Sequence, residues 1–288
     1  MKARLEVVRI FLPSILLVPL AAAGAGQAPT PPAQWDALVT RAFNAEVIAA
    51  QDTQHPMKYR LRKTSPRLTT TKEIYETKDG AVARLVAMND GPLNQADEQK
   101  EQARLDLLLS DPSRQRHRKQ SELEDANRAL KVLRALPNAF LYRFSGDAEG
   151  PTGKIAKFTF RPNPKFDPPD LETQVLTALY GEIWVDVAQE RVIRLEGHLQ
   201  QDVDFGWGIL GRLNKGGWIV IEQADVGDHQ WRLVHFKMSM SGRVLFKDKV
   251  FDTTEDEARF APLAIGLSYK QAVQMLRAEP ANPVSDSH

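Results

Sequence analysis

The chain has 288 residues, 42% hydrophobic and 26% charged, with 38 basic against 37 acidic side chains and no cysteine. So even a balance offers nothing to grip a nucleic-acid backbone, and the missing cysteines exclude disulfides, thiol catalysis, Cys-ligated metals and an acylated cysteine anchor. The length fits one large domain or two small ones, with enough core to stand without covalent staples.

Met1 to Arg9 carries Lys2, Arg4 and Arg9 against Glu6, and Ile10 to Leu20 is apolar apart from Ser14 and two prolines. Ala21-Ala22-Ala23 and Ala23-Gly24-Ala25 then each offer a small-x-small cleavage site. The pattern is that of an export signal, residues 1–25, and predicts a periplasmic protein. An uncleaved anchor is the rival reading, but the apolar run falls short of the roughly 20 residues a spanning helix needs. Removing the signal leaves 263 residues with a net charge of −1.

Residues 26–32 form a Pro-rich spacer, and residues 33–278 are expected to be a single domain. Ala33 to Gln51 reads as a helix, because Trp35, Leu38, Val39, Ala42 and Phe43 make one apolar stripe. Met57 to Lys63, Leu68 to Thr77 and Ala81 to Asn89 read as strands, the last two joined by a Lys78-Asp79-Gly80 turn. In the first of them Met57, Tyr59 and Leu61 alternate with Lys58, Arg60 and Arg62, the pattern of a half-buried strand.

Residues 93–136 change to a helical mix of Gln, Glu, Arg, Leu and Ala. Asp111-Pro112 divides them into two helices, Asp as cap and Pro in the first turn, and Pro137-Asn138 is expected to end the second. This is a helical hairpin inserted between strands. Strands resume at Ala139, with Phe140, Tyr142 and Phe144 alternating, and continue at Ile155 to Arg161. Leu171 to Leu179 fits either a helix or a strand. Gly181 to Val187, Arg191 to Gln201, Trp218 to Val226, Gln230 to Met240 and Arg243 to Asp252 complete the strands. Leu263 to Ala278 reads as a last amphipathic helix, and residues 279–288 as a loose tail. The fold class is α+β: one large curved antiparallel sheet with covering helices.

Chemistry-bearing motifs are few. Gly206-Trp207-Gly208-Ile209-Leu210-Gly211 matches a dinucleotide fingerprint, but Gly216 and Gly217 leave no room for the helix that would hold a pyrophosphate. A glycine-rich crossing segment is the better reading, and no cofactor is expected. His198, Asp202 and Asp204 are the most ligand-like group, yet a polar strand end explains them as well as a metal does. No spacing singles out a nucleophile or a carboxylate pair. Arg114, Arg116, Arg118 and Lys119 form a basic run early in a predicted helix, where the dipole disfavours cations, so an anionic or protein partner is a candidate beside a plain solvated face. Several strands are apolar on both sides: Trp218 and Val220 oppose Ile219 and Ile221, and Phe236 and Met238 oppose Trp231 and Leu233. Such strands need cover on both faces, or a cavity on one.

The segment Gly181-Glu182-Ile183-Trp184-Val185-Asp186, a short turn, then Arg191-Val192-Ile193-Arg194-Leu195-Glu196-Gly197 resembles a hairpin common in the LolA/LolB-like superfamily of periplasmic lipoprotein-sorting proteins. The chain is also similar to secreted bacterial proteins with a Phe-Gly-Trp-Gly-Ile-Leu-Gly segment, here at Phe205 to Gly211. The resemblance implies an unclosed β-barrel whose helices plug a concave side around an apolar cavity for acyl chains. It makes the expected function non-enzymatic binding of a lipid or acylated ligand, with Phe158, Phe160, Trp184, Phe236 and Met238 as cavity candidates. The alternatives are an envelope protein–protein or stress-sensing module built on the helical insertion and its basic run, and a hydrolase with unrecognised residues.

Overall fold

The apolar stripe near the N-terminus folds as α1 (Ala33–Ala50) and buries Leu38, Val39, Ala42 and Phe43. The computed structural model describes residues 33–205, 211–244 and 247–279. The predicted signal at 1–25, the spacer at 26–32, the glycine segment up to residue 210 and the tail beyond Glu279 lie outside the described residues.

β1 (Met57–Thr64), β2 (Thr69–Tyr75) and β3 (Val82–Met88) form an antiparallel meander. Its second turn uses Gly80 at φ 94°, a conformation that suits a residue without Cβ, and Thr77 Oγ1 closes it by accepting from Asp79 N at 3.1 Å. A two-residue β4 (Gly91–Pro92) pairs with the end of β3.

The inserted segment is α2 (Gln95–Ser110) and α3 (Pro112–Ala139). Asn94 caps the first helix, and Asp111 caps the second with Pro112 in its first turn. Pro137 does not end α3, contrary to the sequence expectation. It removes one backbone bond within the last turn, while Leu136 and Ala139 on either side are buried in the core.

α3 starts against the β2–β3 hairpin: Gln115 Nε2 donates to Asp79 O at 2.8 Å and Lys119 Nζ to Lys78 O at 2.7 Å. Its far end, about 42 Å away at 1.5 Å per residue, leads directly into β5 (Phe140–Gly150). Then follow β6 (Gly153–Pro162), α4 (Leu171–Gln174), a 3-10 turn at Val175–Ala178, β7 (Leu179–Asp186), β8 (Arg191–Leu199), β9 (Val203–Phe205) and β10 (Gly211–Leu213). The chain closes with β11 (Trp218–Asp225), β12 (Trp231–Val244), β13 (Lys247–Pro262) and α5 (Tyr269–Ala278).

All thirteen strands join one antiparallel sheet in the order β4-β3-β2-β1-β13-β12-β11-β8-β7-β6-β5, with a β9–β10 ribbon attached to the end of β12. The path is open. α3 therefore reaches from the β3 side of the sheet to the opposite edge strand, β5, and the large antiparallel sheet expected from the sequence is open, as the resemblance implied.

Two strands are longer than the sequence reading makes them. β12 runs through Met240 to Val244, and β13 runs from Lys247 through the charged stretch Asp252 to Arg259 up to Pro262. The stretch has no apolar alternation to mark a strand, and the sequence reading ends the strand at Asp252. β13 is nevertheless central, paired with β12 and β1, because its acids meet cross-strand bases: Glu255 bonds Lys63 at 2.6 Å and Asp256 bonds His235 at 2.7 Å. α5 is shorter than expected and begins only at Tyr269, where Ser268 and Gln271 make a capping box.

Register defines two faces. Phe158, Ile183, Leu195, Ile221, Phe236, Glu255, Lys63 and Thr70 are successive cross-strand partners and mark the inner face. Over β5–β8 this face is closed by α1, the last turns of α3 and the 3-10 turn, in one cluster that joins Val39, Phe43 and Leu136 to Phe158, Ile183 and Leu195. On the outer face α5 and α2 cover β2 and β3, packing Leu105, Leu108, Val273 and Leu276 on Tyr75 and Val82. α1 is fixed by a polar clamp as well. Glu46, nearly buried, accepts from Arg191 at 2.9 and 2.8 Å and from Val192 N at 3.0 Å.

Candidate ligand-binding face

Beyond the α1 core the inner face continues across β11, β12, β13, β1 and β2. Its floor on β11–β13 is apolar. Ile219, Met238 and Met240 are buried there, and Ile221, Phe236 and Phe251 are part-exposed around them. One strand further the floor turns charged. Thr253 opposes Met238, and Glu255 opposes both Phe236 and Lys63. Lys72 sits on β2 with Leu61 directly opposite on one side and Leu85 on the other. Among the described residues it has no hydrogen-bond or ion-pair partner. Burial, with the neighbouring charges of Arg104, Lys63 and Arg118, pushes the Lys72 ammonium below the ordinary lysine pKa, against a smaller opposing effect of Glu101.

The five cavity candidates do not line one wall. Phe158 and Phe160 are buried in the packed core: Phe158 meets the Trp35 ring edge-on at 6.0 Å and Phe144 at 5.8 Å, and Phe160 lies 4.6 Å from Phe140. Trp184 points to the outer face, where Lys157 Nζ stands 3.9 Å above its ring and Arg194 5.6 Å away. Only Phe236 and Met238 lie on the apolar floor just described. Simple alternation also misplaces Trp231. A bulge opposite Glu222 and Gln223 skips Val234, so Trp231 shares a face with Phe236 instead of opposing it.

An open groove of about 590 Å³ lies on the outer face, lined by Arg194, Glu196, His198, Trp218, Val220, Glu222, His235 and Lys237. Its charges are already compensated. Arg194 bonds Glu222 and, at 2.7 Å, Glu196; His198 bonds Glu196 at 2.9 Å; His235 bonds Asp256; Lys237 covers the Trp218 ring at 5.3 Å. Arg194 holds the Glu196 carboxyl below its usual range, outweighing partial burial, with help from His198. A surface satisfied within itself has little left for a ligand.

The basic run serves the fold at two of its four positions. α2 and α3 lie along the open side of β3 and cap its backbone. Leu85 N donates to Glu101 Oε1 at 2.8 Å, Ala81 N donates to Glu122 at 2.9 Å, Arg104 donates to Ala83 O, and Arg118 donates to Ala81 O at 3.2 Å. Arg118 thus helps finish a sheet edge, as an edge strand requires, and Lys119 ties α3 to the β2–β3 turn. Arg114 pairs with Asp111 at 3.1 Å, and both Arg114 and Arg116 are exposed. His198, Asp202 and Asp204 do not converge, since both aspartates pair with Arg212 while His198 turns to Glu196. Among the described residues no group of three potential metal ligands comes together, and no described helix is long and apolar enough to cross a membrane.

Sequence reasoning missed Lys63, Lys72 and Glu255. A signal was present for the first two: each lysine stands on the apolar side of its strand, Lys63 in step with Tyr59 and Leu61, and Lys72 in step with Ile74.

No protein-family model and no curated protein matches the chain. Two solved structures show a distant similarity to it. One is a domain named for outer membrane lipoprotein sorting from Vibrio parahaemolyticus, with 10% identity and a TM-score of 0.32 over 82% of this chain and 97% of that one. The other is a DUF1329 family protein from Desulfovibrio piger, with 10% identity and a TM-score of 0.29 over 81% of this chain and 94% of that one.

Proposed function

We propose that this is a non-enzymatic binding protein of the bacterial periplasm that takes up a lipid or acylated ligand on its inner face. The observation that carries the reading is the apolar floor of Ile221, Phe236, Met238 and Phe251, part of which stays open beyond the α1 core. Such a strip has no polar group to satisfy and rewards an alkyl chain laid along it. Ten methylenes withdrawn from water contribute roughly 8 kcal/mol, enough for micromolar binding before the cost of ordering the ligand.

Displacement of a fluorescent fatty acid, with native mass spectrometry of protein prepared from its own envelope, tests the reading. The folded wild type is expected to bind in the micromolar range. Phe236→Asp should weaken binding at least about ten-fold, since a carboxylate now faces the chain, whereas Phe236→Leu should retain it. Failure of the folded wild type to take up any acyl ligand would overturn the proposal.

A further inference from the structure

We propose that Lys72, flanked by Lys63 and Arg104, is the binding site for an anionic headgroup, so that the ligand of the inner face is an anionic amphiphile and not a neutral lipid. The inference rests on the acyl-binding reading above and names the chemistry of its polar end.

Lys72 is a part-buried cation with no hydrogen-bond or ion-pair partner among the described residues. Every group around it is already engaged. Lys63 is held by Glu255 at 2.6 Å. Arg104 is held by both oxygens of Glu101 at 2.7 Å, and Glu101 also accepts from Leu85 N. Arg118 donates to Ala81 O. Glu101, the nearby carboxylate that favours the charged form of Lys72, already accepts three hydrogen bonds from other groups. Two leucines flank Lys72 across the strands and limit its access to water. A half-buried ammonium among three other cations is unfavourable as it stands, and an incoming carboxylate or phosphate relieves it.

The placement also suits a two-ended ligand. β2, β1, β13 and β12 are consecutive neighbours, and the cross-strand line from Phe236 meets β2 at Thr70, so Lys72 stands on the same face three strand spacings across and two residues along, roughly 16 Å away. A headgroup at Lys72 leaves its tail within reach of Phe236 and Met238. Glu255 and Glu257 share that face, Glu255 tied to Lys63 and Glu257 opposite Leu61, and their charge disfavours a second acidic group further along.

The test compares three probes on purified protein by calorimetry: a fatty acid, the monoacylglycerol of the same chain length, and inorganic phosphate alone. The wild type is expected to bind the fatty acid at least about ten-fold more tightly than the neutral ester, the effect of one charge-assisted contact. Lys72→Met should abolish that preference and leave the ester's affinity unchanged, while Lys72→Arg should keep it. Equal binding of acid and ester by the wild type, or a preference that survives in Lys72→Met, overturns the headgroup assignment and leaves the acyl-binding reading standing. Phosphate bound through Lys72 with no gain from an acyl chain overturns the amphiphile in favour of a small-anion site. Binding of none of the three removes the acyl-binding reading itself.

Discussion

Removing the carboxylate of Glu46 is the sharpest perturbation of the scaffold. Its side chain is 8% exposed and that of its partner Arg191 11%, so the pair is largely out of water. It makes a two-pronged ion pair and also accepts from Val192 N, joining α1 to the start of β8. Glu46→Ala leaves a guanidinium and a backbone N–H buried without acceptors. Breaking a buried pair from one side costs about 3–5 kcal/mol, far more than the 0–1 kcal/mol typical of an exposed pair. Urea unfolding followed by circular dichroism should show this as a lower midpoint with little change in slope. The double variant Glu46→Leu with Arg191→Met separates the pair's net worth from the penalty of an orphaned charge, and should recover to within about 2 kcal/mol of the wild type, because apolar replacements of a buried pair are often neutral. A loss below about 1 kcal/mol for Glu46→Ala would refute the reasoning, since the pair would then behave as if solvated.

Two further outcomes follow from the β3 edge and the inner face. Glu101→Ala should cost about 1–3 kcal/mol by stranding Leu85 N and Arg104, and should speed hydrogen exchange at Leu85; unchanged exchange there would mean that α2 does not cap the edge. Lys72→Met should stabilise the protein at neutral pH. Because the folded pKa of Lys72 is lowered, the unfolded chain binds more protons between that value and the unfolded lysine pKa of about 10.4, so wild-type stability should rise with pH in that window. The variant should lack this rise, and a wild type whose urea midpoint does not climb relative to Lys72→Met on the alkaline side would contradict it.

Much of the fold was legible in the chain because the signals are local. The stripe from Leu38 to Phe43, the Asp79-Gly80 turn, the Asp111-Pro112 cap and the alternation of Phe140, Tyr142 and Phe144 each act over a few residues, where sterics and hydrogen bonding do not depend on distant partners. Position 234 shows where such reading fails. One skipped residue in β12 reverses the side of every residue before it, and nothing in the local pattern marks the skip.

The sequence by itself determined the absence of cysteine chemistry, the α+β class, the inserted helical pair and most strand positions, since composition and short-range periodicity are properties of the chain alone. Tertiary structure decided what those elements meet. It made a strand of the charged stretch Asp252 to Arg259 because β12 and β1 supply its partners, put Phe158 under α1 and Trp184 on the opposite face, and left Lys72 without the carboxylate that its neighbours hold. Those outcomes depend on pairing between residues nearly 200 positions apart, as between Lys63 and Glu255, and side-chain burial and charge compensation exist only once that pairing is made.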